Sequence, residues 1–350
     1  MILKSKFALL PLALLAASPA HAQWNGAMGG TPTPGPAQAY SPAALASPTL
    51  LKRIRNDDLH GYRKVVVPFF QVEFTTGSKA SSARAGASVS QSYEMEAITA
   101  ADMQAITDAV YDRFIADLTA KGLTVIPLEQ ARAASPNLAK LLAAAKPAPF
   151  VSKTEGGGAS TFYTPRGAAI YFHQGDPELG GMSNVGSRAS WDQPAAAKDL
   201  DAAVIGARFA VTFVEQTPDN RKFLGMRGST ARVNSQVDLS IDAVSTHLWA
   251  ITAKNQAKII GQPVEPVRFY PDAPLVLDDD AILSVVDSTS AGTKRSDAMA
   301  TGVSMLLGGG HNYKTKAYTV TVEPVKYRAE VTQAMSAVGV TFVDKLNAEL

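Results

Sequence analysis

No cysteine occurs anywhere in the 350-residue chain. The amino terminus makes that absence a strong constraint, because it reads as an export address. Lys4 and Lys6 give a basic start, Phe7 to Ala17 is an apolar run, and Ser18-Pro19-Ala20-His21-Ala22 offers small residues at Ala20 and Ala22. This is the pattern of a secretory signal peptide, with cleavage expected after Ala22. The apolar run is too short to span a hydrocarbon core, which needs about 20 residues. Lipid anchoring through such a signal needs a cysteine and is excluded. Exported chains commonly use disulfides. This one must fold by apolar packing alone, and residues 23–350 are long enough to build the core. Thiolate zinc sites and cysteine nucleophiles are excluded as well. No other stretch approaches 18 consecutive apolar residues, so no transmembrane helix is expected in the mature chain. The expected location is the periplasm, with outer-membrane association or secretion left open.

The whole chain carries 33 basic and 31 acidic residues, and the signal segment accounts for two of the lysines. The remainder is balanced, which argues against broad attraction to nucleic acid or anionic lipid. A local patch is still compatible with that balance. Leu51-Lys52-Arg53-Ile54-Arg55 is one candidate, and its plainer reading is a solvated start to the folded part.

Residues 23–61 read as a leader rich in Gly, Pro, Ala and Ser, as in Gly29-Gly30-Thr31-Pro32-Thr33-Pro34-Gly35-Pro36. Such a segment has little apolar surface to offset its ordering entropy, and disorder is expected. A single domain is expected over residues 62–350. Lys64 to Phe74 starts with a β-branched run and then alternates, with Phe70, Val72 and Phe74 on one face, which predicts a half-buried strand. Pro68 cannot donate to a ladder and predicts an edge position or a bulge. A polar Gly/Ser/Ala loop is expected over residues 77–92.

Thr99 is a natural N-cap with Asp102 in the first turn. Met103, Ile106, Val110, Phe114, Ile115 and Leu118 follow at helical spacing, and Lys121-Gly122 ends the helix. Leu123 to Leu128 predicts a short buried strand, and Leu128 to Ala145 a second helix. This strand–helix–strand–helix order favours a parallel start. A short strand is expected over Ala168 to Phe172. The second half reads as strands: Ala203 to Val214, Ala231 to Ala243, His247 to Thr252, Ala281 to Asp287 and Tyr318 to Val322. In Ala231 to Ala243 the apolar residues Val233, Val237, Leu239 and Ile241 alternate with polar ones, one face in and one out. A last helix from Lys326 to Leu350 carries the stripe Val331, Ala334, Met335, Val338, Phe342, Val343 and Leu346, preceded by Pro324. The fold class is α/β or α+β: a mixed sheet with a parallel strand–helix–strand start, antiparallel strands in the second half and a C-terminal helix.

Chemistry is harder to find than architecture. His60, His173, His247 and His311 show no metal spacing, so no metal and no cofactor is expected. Gly181 to Gly186 misses a nucleophile elbow by one residue, and Gly308-Gly309-Gly310 lacks the Lys-Ser/Thr of a phosphate loop. Asp278-Asp279-Asp280 lacks the spaced ligands of a calcium loop and reads as a solvated turn. No catalytic residue is assigned. His173, followed by Gln174-Gly175-Asp176, ends an expected strand among Gly-rich loops, and with Asp176 and Trp191 it is the candidate mouth of a small-ligand pocket. A surface or capping role is the plainer reading of His173. The stretch 288–316 reads as a long loop, and loops of that length are usually functional or disordered. Within it Ala298 to Leu307 is apolar enough to pack on something. Met299, Met305, Leu306 and Leu307 are therefore candidate contacts with an envelope protein partner, with a short core helix as the equal alternative.

The order of elements resembles the curli-secretion-channel family and the related amino-terminal domain of the Tol translocation protein. The pieces that carry it are Lys64 to Phe74, Thr99 to Leu128, Ala203 to Val214, the Ser229 to Thr252 pair and the terminal helix. Ala231-Arg232-Val233-Asn234-Ser235-Gln236-Val237-Asp238-Leu239-Ser240-Ile241-Asp242-Ala243-Val244 looks like that family's strand before its hairpin. The resemblance spans about half of the mature chain and lies in patterning. The channel members are lipoproteins whereas this chain has no cysteine, and no functional residue is carried over. The functional expectation is an exported, non-enzymatic cell-envelope protein, a binding or assembly factor for an outer-membrane, secretion or transport system. The alternatives are a periplasmic small-ligand-binding protein and, behind it, an enzyme with a site assembled from distant residues.

Overall fold

A computed structural model describes residues 34–47, 49–54, 57–84, 87–153, 158–172, 189–219, 231–255, 264, 266–307 and 311–350. Residues 1–22, expected to be an export segment, and residues 23–33 lie outside the described residues. In chain order the first elements are β1 (Gln38–Ala39), α1 (Pro42–Leu45), β2 (Leu51–Ile54), β3 (Lys64–Arg84) and β4 (Ala87–Glu96). Next come α2 (Ala100–Ala120), β5 (Thr124–Val125), α3 (Leu128–Ala134), α4 (Pro136–Ala143), β6 (Phe150–Lys153) and β7 (Ala159–Tyr163). The middle of the chain supplies α5 (Ala189–Leu200), β8 (Ala203–Thr212), β9 (Glu215–Asp219), β10 (Arg232–Gln236), β11 (Ser240–Ile241) and β12 (His247–Ile251). The last part contains β13 (Val267–Pro271), β14 (Leu275–Val276), β15 (Ile282–Asp287), α6 (Ala291–Leu306), β16 (Asn312–Val322) and α7 (Pro324–Glu349).

Fourteen strands form one mixed sheet in the order β1-β14-β11-β8-β3-β4-β16-β15, with β12, β13 and β2 branching from β8 and β5, β6 and β7 beside β3, while β9 and β10 pair separately. β3 runs parallel to β8, Val65 facing Ala203 and Phe74 facing Val211. It is also parallel to β5 through α2, so the strand–helix–strand start is parallel as its pattern implied. The antiparallel pairs β8–β12, β12–β13 and β15–β16 follow in the second half. Pro68 sits where the β3–β8 register shifts, between Val66 and Phe69. It therefore marks a bulge in a central strand, not an edge, and its carbonyl accepts from Ala169 N–H.

One face of the sheet carries α2 and α7. The stripe on α7 predicted from spacing is wholly buried, from Val331 through Phe342 to Leu346. It meets Phe70, Phe114 and Phe209, with the Phe209 and Phe342 rings 5.9 Å apart. Thr99 and Asp102 close a capping box at the start of α2. The Thr99 hydroxyl and N–H both donate to Asp102, whose pKa is held below the carboxylate norm. Gly122 takes φ +80 past the helix end, as a glycine there allows.

The opposite face is covered by α3, α4 and α5. Here Ala131, Leu138, Leu141, Ala196 and Ala197 pack on Val66, Phe69, Val204 and Trp249. The Trp249 indole occupies the space a Cβ at Gly206 would need, so that strand position admits only glycine without repacking.

Several expectations need correction. The helix expected over 128–145 is two helices, because Pro136 removes a donor and Ser135 caps the second one through Leu138 N–H. The strand expected over Ala168 to Phe172 is reduced to two isolated bridges, at Ala169 and Ile170. The leader expected through residue 61 is partly built into the fold: β1 pairs with β14, β2 with β13, and Leu50 and Leu59 are buried. Its few apolar residues suffice because existing strand edges supply the hydrogen bonds. The half-buried reading of Lys64 to Phe74 fails too, since Gln71 and Glu73 on the second face are also buried. Finally, neither long loop is a loop. Residues 77–92 are a β-hairpin, and residues 288–316 contain α6 and the start of β16.

Candidate functional site

Beyond Phe74, β3 continues as a strand of Ser, Ala and Gly with Lys79. Paired with β4 it makes a ladder from Gly77↔Glu94 to Arg84↔Ala87. Small residues disguise the period of two: Ser78, Ala80 and Ser82 are sheltered, while Lys79, Ser81 and Ala83 face water. β16 pairs parallel with β4 from Asn312↔Ala87 to Thr321↔Glu96, and β15 closes the edge. The Tyr93 and Tyr318 rings stack 4.7 Å apart near the base. The β9–β10 hairpin braces the structure through Ser78–Gln216 and Ser235–Gln91 side-chain bonds of 2.7 and 2.8 Å. The result is an arm extending from the body of the sheet.

Helix α6 lies along the β16 edge, beyond the point where β15 stops pairing. Ser304 Oγ accepts from His311 N–H, Thr301 Oγ1 from Tyr313 N–H, and Asp297 Oδ2 from Thr315 N–H, at 2.8, 3.0 and 2.6 Å. Every second residue of β16 offers its N–H outward, and helical steps of three and four bring a polar side chain to each. The polar face of α6 is thereby turned inward. No residue of α6 is buried.

This inverted orientation leaves the apolar residues outside. Met299, Met305, Leu306 and Leu307 are 68, 61, 87 and 82% exposed. Of these four candidates Leu307 is the C-cap, one residue past α6. Sequence reasoning missed Leu283, Val285 and Val286 on β15, Val303 on α6, and Tyr313 on β16, all exposed. Val303 lay within the apolar stretch that was noticed. The β15 residues gave no signal, because only topology shows that β15 ends the sheet. Among the described residues just two other large hydrophobics, Val151 and Val325, are comparably exposed.

The residues expected to frame a ligand pocket are only partly described. His173 and Asp176 lie outside the described residues, and Trp191 belongs to α5 on the far face of the sheet. A groove of about 620 Å³ opens elsewhere, between α2 and the segment after α4. Gln104, Asp108, Lys146 and Arg166 supply its polar lining and Leu142, Pro147 and Pro165 apolar walls. Gln104 is committed, donating to Asp108 Oδ1 and to the Thr164 carbonyl.

A buried ionic cluster lies under β6 and β7. Arg208 Nη2 donates to Glu73 Oε2 at 2.7 Å, and its guanidinium faces the Phe162 and Phe172 rings at 5.0 and 5.7 Å. His247 stands beside Arg208 across the ladder. Burial, then the charges of Arg268 and Arg208, push the His247 pKa well below the usual 6.5. A neutral imidazole walled in by cations and a strand suits packing. Among the described residues no group of three or more His, Asp or Glu is placed to hold a metal ion, and no helix is long and apolar enough to cross a membrane.

Comparison with known protein families, with curated proteins and with solved structures finds no match to this chain.

Proposed function

We propose that this protein is an exported, non-enzymatic factor of the cell envelope that binds or helps assemble another envelope component through its arm. The observation that carries this reading is the concentration of exposed Leu, Met and Val on α6 and β15. Clustered exposed apolar side chains mark interaction surfaces, whereas scattered ones need no explanation. The amino-terminal pattern of residues 1–22 supports export, and export places the arm where envelope components are its neighbours. The test is retention of the purified chain on isolated envelopes. The unaltered chain is expected to be retained, and a Leu306→Asp, Leu307→Asp variant with the same melting temperature to be released. Equal retention of both overturns the reading.

The groove beside Gln104 and Asp108 favours a second reading, a small-ligand-binding protein. Two cations, Lys146 and Arg166, and apolar walls suit a small carboxylate with a hydrocarbon part. A thermal-shift screen of such carboxylates addresses it, since a ligand bound only by the folded state raises the melting temperature. No shift at any saturating carboxylate rejects it.

A further inference from the structure

We propose that the component met by the arm is an anionic lipid surface, on which α6 lies with its apolar stripe in the headgroup–acyl boundary. The inference rests on the arm being the docking element and names what it docks on. Met299, Val303 and Leu306 are spaced four and three residues apart, so they share one face of α6, and Leu307 extends that face at the helix end. All four are exposed. The register Asn312↔Ala87 with Arg84↔Ala87 puts this end of α6 at the arm's tip, where the β3–β4 hairpin turns.

Charge points the same way. The segments 77–92 and 288–316 hold Lys79, Arg84, Lys294, Arg295, Lys314 and Lys316 against a single acid, Asp297. That acid is turned inward onto Thr315. Glu94 and Glu96 of β4 and Asp287 of β15 pair with Thr319, Thr321 and Tyr318 and so lie toward the base, and the bracing hairpin holds Glu215 and Asp219 with Arg232. A chain whose formal charge is close to balanced therefore carries a strong local cationic excess beside its exposed apolar stripe. Lys and Arg around such a stripe are the signature of a helix that lies on an anionic bilayer. A fluid acyl layer needs only area and charge, and the stripe with the cations beside it offers both.

The experiment is flotation of the chain made without residues 1–22 with protein-free vesicles. One set contains phosphatidylglycerol and phosphatidylcholine in equal parts, the other phosphatidylcholine alone. Binding is expected to the anionic set only and to fall as salt rises. Leu306→Asp with Leu307→Asp is expected to lower partitioning about tenfold or more. Arg295→Glu with Lys314→Glu, both exposed, is expected to do the same, while Val151→Asp leaves it unchanged. No flotation, equal flotation with both sets, or equal flotation of the unaltered chain and the Leu306/Leu307 variant overturns the lipid assignment. Sedimentation velocity without vesicles separates its failure from failure of the docking reading. A dimer dissolved by Leu306→Asp would make a second copy the occupant, leaving the arm a docking element but refuting lipid. A monomer that neither floats nor is retained on envelopes would refute both.

Discussion

The two halves of β3 belong to one continuous strand and live in different surroundings. From Val65 to Phe74 every residue is buried, Pro68 in the bulge included. From Thr75 to Arg84 the same strand runs out into a thin ribbon of Ser, Ala and Gly, most of it partly or fully exposed. Hydrogen bonding thins outward: the first half is flanked by β8 on one side and by β5, Ala169 and β7 on the other, whereas from Ser78 to Arg84 β4 is the pairing strand. Side-chain size changes with it. Phe and Val give each face enough apolar area to hold a helical layer, at roughly 25 cal/mol per Å² buried. Ser and Ala do not, so the ladder continues without a helical layer on its face and is braced instead by the β9–β10 hairpin. Stability belongs to the first half, and the second is free to meet other molecules.

The sharpest way to break this contrast is to truncate one side chain in each half. Phe70→Ala removes a ring packed on Tyr111, Phe114 and Phe209. It is expected to lower unfolding free energy by about 3–5 kcal/mol in a denaturant titration. Ser81→Ala, which removes only a bond to Ser90 at the exposed ribbon, is expected to change it by less than about 0.5 kcal/mol. Similar losses at the two sites would show that the arm is part of the cooperative core.

Arg208→Ala tests the polar end of the covered half. It would strand the Glu73 carboxylate against the Phe162 and Phe172 rings, and a loss of about 3–5 kcal/mol is expected from an uncompensated buried charge. A loss below about 1 kcal/mol would mean that water reaches Glu73.

Acid should act on the same half. His247 has a folded-state pKa below its unfolded value, so beneath pH 6.5 the unfolded chain takes up a proton that the folded chain refuses. Stability is then complete above that pH. It falls by up to about 1.4 kcal/mol per unit as pH drops toward the folded pKa, and no further once below it. His247→Gln is expected to flatten that part of the profile, and an unchanged slope would assign it to other groups.

The most local effect is expected on the arm. Asp297→Ala removes the acceptor for Thr315 N–H, a loss of about 1.5 kcal/mol confined to α6 and its edge. Hydrogen exchange at Tyr313 and Thr315 should quicken while the melting temperature holds. A fall in the global melting temperature would contradict the division between the halves.

The same contrast explains what could be read from the sequence. α7 was legible because large apolar residues recur at helical spacing, and α2 because Thr99 and Asp102 announce its start. The distal ribbon was not, since Ser, Ala and Gly carry no apolar alternation and look like loop wherever they stand. The four apolar residues near the end of α6 were noticed as candidate contacts, but the choice between partner and core needed coordinates. So did β15, whose exposure follows from its place at the end of the sheet. The buried Glu73–Arg208 pair joins residues 135 positions apart, a separation at which no local pattern can link two charges.

Helix α6 has one more consequence. A strand that docks on β16 would hand on a fresh row of backbone groups and let copies add without limit, as in a growing filament. A helix satisfies the N–H groups of residues 311, 313 and 315 with side chains and has no such row to hand on. Polymerisation is therefore stopped along this stretch by geometry, and at this end of the sheet the short outer rim of β15 is the edge where a fibre could start.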